Sequence, residues 1–456
     1  MKLIYDVKDK PKFGQLLVFA IQQLLAIMAA TIAVPAIIGN GMSASAALFG
    51  AGVGTIVYQL FTRFRSPVFL GSSFAFIGSM FAAFAGGVSM SLGYLGMILG
   101  AACAGLVYVI IAIIVKLVGV NWINKIMPAV VIGPTVAIIG LSLAGNAVGD
   151  MLKGDVTTAE NVMLTSPYVA FVCALVTLFV VILCSTYGKK MAKLIPFIIG
   201  IIAGYIVAAI FTVIGNVAEI DALKVIDFAP LTALFADGVT VETFVSIPDF
   251  VFLEAFNGIK EFDLSYLGTI AVAYVPVAFV VFAEHIADHK NLSTIIEKDL
   301  LEDPGLSRTL LGDGIGSVAG AFFGGCPNTT YGESVGCVAI TRNASVATIT
   351  TTAILAILIS FVSPFVAFLD TIPACVMGGV CMTLYGFIAV SGLKMVQKVD
   401  LEKNNNLFVV SVILISGIGG LTLTFGKVTI TSIACVLILG IIVNVMLKGA
   451  DEKDAE

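Results

Sequence analysis

Residues 326–342 read CPNTTYGESVGCVAITR, a polar, glycine-rich run set between long apolar segments, and no transmembrane reading of the chain can move its Glu333 into water. Glu284 is a second glutamate of this kind. An ionisable side chain inside hydrocarbon costs roughly 2.5–3.5 kcal/mol or more by insertion scales, so a carboxylate retained there points to solute or proton handling. Two of them, one beside interrupted backbone, point to a solute site within a membrane.

The rest of the chain leaves little room for a water-soluble fold. Of 456 residues, 59% are hydrophobic and 12% charged, about half the charged fraction usual in a globular domain. Stretches of about 20 apolar residues cross a bilayer as helices. Fourteen candidates begin near Phe13, Ala44, Pro67, Leu92, Ile126, Pro167, Leu194, Leu264, Thr309, Asn328, Val346, Ile372, Leu407 and Val428, the third, ninth and tenth being weak by hydropathy alone. With the amino terminus inside, all of the 24 lysines and arginines except Lys153, Lys224, Lys260 and Lys427 fall on the inner side, as the positive-inside rule requires. Removing any one weak span would invert the loops after it and place Lys394, Lys398 and Lys403 outside. The reading is therefore an all-α polytopic membrane protein with 14 transmembrane segments and both termini cytoplasmic.

Smaller features add constraints. The polar, lysine-rich start MKLIYDVKDKPKFG has no short apolar region with a cleavage site, so no removable signal peptide is read. The acidic connection 216–263 reads as an extracellular surface loop, with a small hairpin as the alternative. The eight cysteines lie in apolar spans without a C-x-x-C pair and read as buried hydrophobes. His285 and His289 stand four apart, a spacing that can chelate a metal, but no third ligand recurs near them, and solvated loop histidines are the preferred reading. A net charge of −5 gives no reason to expect nucleic acid.

The chain also repeats itself. PAVVIG at 128–133 and PACVMG at 373–378 each open a span, the fifth and the twelfth, seven spans apart. An odd-numbered repeat inserts its copies in opposite orientation, giving 7+7 inverted repeats of the kind found in secondary transporters. The third span opens SPVFLGSSFAF and the tenth CPNTTYGESVG, also seven apart, each with a proline, a glycine and polar residues where apolar ones belong. Interrupted spans 3 and 10, each a short extended segment plus a half-helix, are tolerable at membrane depth only where they line a cavity or are buried in protein. Two tightly packed kinked helices are the competing reading. Gly312, Gly316, Gly320 and Gly324 recur every four residues along the ninth span and read as a close-packing face.

FAEHIADHKNL, KDLLEDPGLSRTLLGDG and GGCPNTTYGESVGCVAITR, with QQLLAIMAATIAVP, GSSFAF and LYGFIAVSG, closely resemble the uracil permease branch of the nucleobase/ascorbate transporters. The resemblance implies a core domain (1–120, spans 1–4; 264–370, spans 8–11), a gate domain (121–215, spans 5–7; 371–448, spans 12–14), the extracellular loop 216–263 and a cytoplasmic tail 449–456. It implies substrate where spans 3 and 10 meet, with carboxylates at Glu284 and Glu333, backbone amides near Ser73, Phe74 and Gly332, and lining tyrosines at Tyr331 and Tyr385. Uracil offers two N–H donors and two carbonyl acceptors, which carboxylates and half-helix amides after Pro67 and Pro327 would complement. Three departures bear on substrate and coupling. Gln23 stands where the family commonly has histidine and Ser334 where it has asparagine. Asp288 sits one turn beyond Glu284, where the uracil branch carries histidine, with His289 beside it. Proton coupling is accordingly assigned to Glu284, Asp288 and His289. The expected function is proton-coupled uracil import without a cofactor, in a bacterial cell membrane, by a homodimer joined through the gate domain. A xanthine or other purine permease is the alternative, and an anion exchanger or channel is the reading from another class.

Overall fold

A computed structural model describes residues 3–119, 128–158, 160, 162–236, 238–425 and 428–451. The expected start of the fifth span near Ile126, the 120/121 boundary and most of the tail lie outside the described residues. In chain order the elements are α1 (Phe13–Ile38), α2 (Ala44–Phe61), β1 (Leu70–Ser72), α3 (Ile77–Phe84) and α4 (Met90–Val118). There follow α5 (Ala129–Ser142), α6 (Ala144–Asp150), α7 (Pro167–Tyr187), α8 (Met191–Leu194) and α9 (Pro196–Val217), then the short α10 (Ala229–Ala233) and α11 (Phe252–Asn257). The remainder comprises α12 (Leu264–Ile296), α13 (Leu306–Phe322), β2 (Asn328–Thr330), α14 (Gly332–Thr341), α15 (Val346–Ile359), α16 (Ser363–Asp370), α17 (Ala374–Val396), α18 (Asn404–Ile418), β3 (Leu423–Phe425), β4 (Val428–Ile430) and α19 (Ser432–Asp451).

Among the described residues eight helices are long and apolar enough to cross a membrane, and three shorter apolar helices accompany them. The chain marks their ends with ordinary signals: Ser43, Ser89 and Asp263 accept hydrogen bonds from first-turn amides of α2, α4 and α12, each satisfying a donor that the helix leaves open. The three weak spans resolve differently. The ninth is α13, beginning at Leu306 rather than near Thr309. The third and tenth are each a three-residue strand followed by a half-helix, β1 with α3 and β2 with α14.

The two strands pair antiparallel, Leu70 with Thr330 and Ser72 with Asn328. Unpaired backbone in an apolar interior costs several kcal/mol per group, and this pairing removes much of that cost. α2 supplies more: Thr55 Oγ1 accepts from Leu70 N (2.9 Å), and Gln59 Nε2 donates to the carbonyls of Ser66 (2.9 Å) and Val68 (3.2 Å). Asn328 Nδ2 donates to Gly50 O (2.9 Å). The approach needs small residues. A Cβ on Gly50 would stand 2.7 Å from Gly320 O, and one on Gly316 would stand 2.7 Å from Gly54 O, so Gly312, Gly316 and Gly320 form a packing face of α13 against α2, whereas Gly324 lies past the helix end at φ +93° against Val251. The PAVVIG and PACVMG helices, α5 and α17, pack directly on one another, Gly140 and Gly392 lying against the partner helix's backbone.

The connection 216–263 is not a featureless loop. It carries α10 and α11, and its hydrogen bonds tie it to several spans. Thr212 Oγ1 on α9 accepts from Val225 N and Ile226 N, and Ser166 N donates to Ala222 O. Phe250 packs on Phe49 and Phe323, and Phe252 stacks on Phe322. Aromatic burial of this kind (150–250 Å² per ring) orders a segment that its acidic composition suggested was free.

Candidate substrate site

The site forms where α12, α14 and α1 face α5, α8 and α17. Residues four apart share a helix face, so the 33-residue α12 presents Glu284 and Asp288 together. α14 begins at Gly332, and Glu333 lies in its first turn. These four residues line one cavity of about 370 Å³, opposed by Lys193, Phe197, Leu384, Phe387 and Ser391. That volume lies in the roughly 300–1,000 Å³ range of small-molecule sites. Asp288 Oδ2 accepts from Thr330 Oγ1 at 2.7 Å, tying α12 to β2 beneath the cavity. Three carboxylates thus face a single ammonium, with helix-terminal amides between them.

A larger cleft, about 570 Å³, lies near the opposite end of α12, lined by Asp263, Tyr266, Thr269, Glu261 and Thr424. Thr269 and Glu284 are 15 positions apart, about 22 Å along a helix. Size alone would favour the larger cleft. The intramembrane carboxylates and the α14 terminus make the smaller one the candidate site.

Four residues implied by the resemblance do not line this cavity. Phe74 and Tyr385 pack edge to face, ring centroids 5.8 Å apart, and both are buried. Ser73 gives its amide to Pro327 O at 2.9 Å, so that donor is used within the fold. Tyr331 turns its hydroxyl to Ser72 O at 2.8 Å. Ser73 and Tyr331 are used in the pairing of the two interrupted spans, and Phe74 and Tyr385 in their mutual contact.

The two family departures at Gln23 and Ser334 prove to be one interaction: Gln23 Nε2 donates to Ser334 Oγ at 2.6 Å, both buried, and Ser334 Oγ accepts from Phe69 N at 3.3 Å. They join α1, α14 and the extended run before α3 and do not line the cavity.

The histidines correct the solvated-loop reading. α12 continues to Ile296, so both lie within it, fully buried on the side away from Glu284 and Asp288. His289 Nε2 is 2.7 Å from Tyr58 OH, and His285 Nδ1 is 2.7 Å from Asp313 Oδ2 with Nε2 3.0 Å from Thr309 Oγ1. No metal-binding group occurs among the described residues. The glycine spacing marks α13 as a packing helix and does not single out Asp313. The signal was present: an aspartate inside LGDGIG is as costly in hydrocarbon as Glu284.

A multi-span helical bundle in which two interrupted spans pair with each other and the second of them opens its half-helix onto a carboxylate-lined cavity has the architecture of a membrane carrier. Comparison with known proteins agrees. Residues 14–426 match the family described as Permease family, Xan_ur_permease. The chain is 37% identical to the uracil permease of Bacillus caldolyticus over 98% of this chain and 95% of the relative. It is 32% identical to the uracil permease of Escherichia coli K12 over 97% and 93%. Among solved structures, the transmembrane domain of the cyanobacterium bicarbonate transporter BicA superposes with a TM-score of 0.62 at 14% identity, covering 96% of this chain and 99% of that one. The murine anion transporter Slc26a9 does so with the same score at 12% identity, covering 96% and 69%. The chain belongs to the Xan_ur_permease family; the low-identity likenesses speak for the fold alone.

Proposed function

We propose that the protein is a proton-coupled uracil importer that works by alternating access. The observation that carries this reading is the placement of Glu284, Glu333 and the exposed start of α14 around one cavity between two groups of spans. A neutral ring with two N–H donors and two carbonyls finds acceptors in the carboxylates and donors in the first-turn amides, whose dipole favours a carbonyl oxygen. The full-length likeness to uracil permeases supports the choice of ligand.

The topology proposed is 14 spans in a 7+7 inverted repeat, with core spans 1–4 and 8–11 and gate spans 5–7 and 12–14. Clefts toward both ends of α12 are what a rocking carrier needs. Lys298 holds Asp6 near one terminus, and Asn405 donates to Leu447 O near the other. Both lie beside the lysine-rich helix ends, which the positive-inside rule assigns to the cytoplasm. In this arrangement the carboxylate cavity faces inward, Asp288 and Glu284 take the coupled proton, and a second copy docks through the gate spans. His289, bonded to Tyr58 behind the cavity wall, is left a positioning role.

The fold neighbours are anion transporters by name, but three carboxylates against Lys193 oppose an anion in this cavity. Uptake of radiolabelled uracil in cells lacking their own carriers, challenged by xanthine, uric acid, thymine and adenine, tests the assignment. Competition by uracil and close pyrimidines alone is expected; stronger competition by xanthine would transfer the site to purines.

A further inference from the structure

Residues 235–247, FADGVTVETFVSI, are built inside out for an aqueous loop. Phe235, Val239, Val241, Phe244, Val245 and Ile247 are 53–78% exposed, while Thr243 is buried, its hydroxyl placed to donate to Leu234 O (3.2 Å) and accepting from Thr240 N (3.0 Å). The turn therefore buries Thr243 with its hydroxyl satisfied and directs its apolar side chains outward. It is also held in place: Val245 bridges Val362, Ser246 N donates to Phe361 O, Ser363 N donates to Phe244 O, and Ser363 Oγ donates to Glu242 O at 2.7 Å. These contacts fix it at the end of the apolar helix α15, whose Ile354 and Leu358 are exposed.

We infer that residues 235–247 bind the membrane itself, lying in the boundary between headgroups and acyl chains as an extension of the lipid-facing surface of α15. An exposed apolar patch of fixed shape marks an interaction surface, and aromatic and aliphatic side chains beside a self-satisfied backbone are what a membrane interface accepts. Continuity with Ile354 and Leu358 favours lipid over a second copy. The segment carries Asp237 and Glu242 and no lysine or arginine, so it enters by apolar contact and does not require anionic lipid. The inference needs only that the spans cross a bilayer and is independent of the substrate.

The single tryptophan, Trp122, permits a direct test. Phe244→Trp and, separately, Val241→Trp are made in a Trp122→Phe background and placed in phosphatidylcholine nanodiscs with or without lipid brominated in the upper acyl chain. Blue-shifted emission that brominated lipid largely removes and aqueous iodide leaves intact is expected for both variants. Quenching by iodide without quenching by bromolipid would place the segment in water. Resistance to both would mean that protein covers it, and a cross-link between copies through Val241→Cys would identify a second copy as the occupant. Either result overturns the inference. Two positions on opposite sides of Thr243 guard against local misfolding by one substitution.

Discussion

At the scale of single residues, the proposed chemistry rests on carboxylates held beside amide donors. Glu333→Gln keeps the size of the side chain but replaces an acceptor with a donor, so a charge-assisted hydrogen bond to substrate is lost. That costs about 1.5–3 kcal/mol, or roughly 10- to 150-fold in uracil affinity. Equilibrium binding on monodisperse protein checks this, and unchanged affinity would remove Glu333 from the site. Asp288 shares the cavity face of α12 with Glu284 and accepts from Thr330, a position from which the two carboxyls can share a proton. Asp288→Asn is expected to abolish pH-driven uptake while leaving uracil binding and counterflow exchange, since exchange moves no net proton; a wild-type pH profile would leave coupling to Glu284 or Glu333. The spacing of Glu284 and Asp288 was readable because four residues make a helical turn. The pairings of Gln23 with Ser334 and of His285 with Asp313 were not, because the partners lie 311 and 28 positions apart and meet only when separate helices pack.

At the scale of elements, helix ends and interruptions carry most of the structure. α17, which supplies one wall of the cavity, starts after Pro373 without a capping side chain of its own. Asp155, from the connection after α6, accepts from Ala374 N at 3.0 Å instead. Burial, with Asp227 and Asp150 nearby, pushes its carboxyl up from 3.8 to about 6. Lys153, two residues before it, faces Asp150 at 3.7 Å, and Lys224 faces Asp221. Because the folded state holds the proton more tightly than the unfolded chain, this group's contribution is full below its unfolded value and is lost as pH rises through about 6. Thermal unfolding of purified protein should therefore show stability declining between roughly pH 4 and 6 with a slope that Asp155→Asn flattens. Asp155→Ala removes the cap and should cost roughly 0.5–2 kcal/mol at about pH 4, a cost that shrinks as pH rises through about 6. The interrupted spans were visible as Pro–Gly patterns, but their antiparallel strand pairing was not, since nothing local specifies which extended residues lie opposite each other.

At the scale of the whole molecule, charge bias and the seven-span repeat predict sidedness. A cysteine at Glu219 should react with an impermeant thiol reagent applied to intact cells, whereas one at Asp299 should react only after permeabilisation; both positions are exposed. The opposite pattern would invert the proposed topology and the repeat with it. The connection 216–263 shows the limit of composition as a guide at this scale. Its acids suggested a loop in water, but hydrogen bonds to Thr212, Ser166 and Phe361 and the rings of Phe250 and Phe252 make it a structured belt across several spans.

By itself the sequence determined that the chain lies in a membrane, that two spans break, and that Glu284 and Glu333 are ionisable groups no span reading can move into water. Each of these follows from local physics: the length of an apolar run, the effect of proline and glycine on a helix, and the cost of an ionisable group in hydrocarbon. Only the tertiary structure decided which side chains reach the cavity. It turned Phe74 and Tyr385 against each other, spent the Ser73 amide on Pro327 and placed Lys193 opposite the carboxylates. A buried polar group must find a partner, and a chain of 456 residues offers many. Which partner it meets is settled by how the helices pack, and packing is a property of the whole fold.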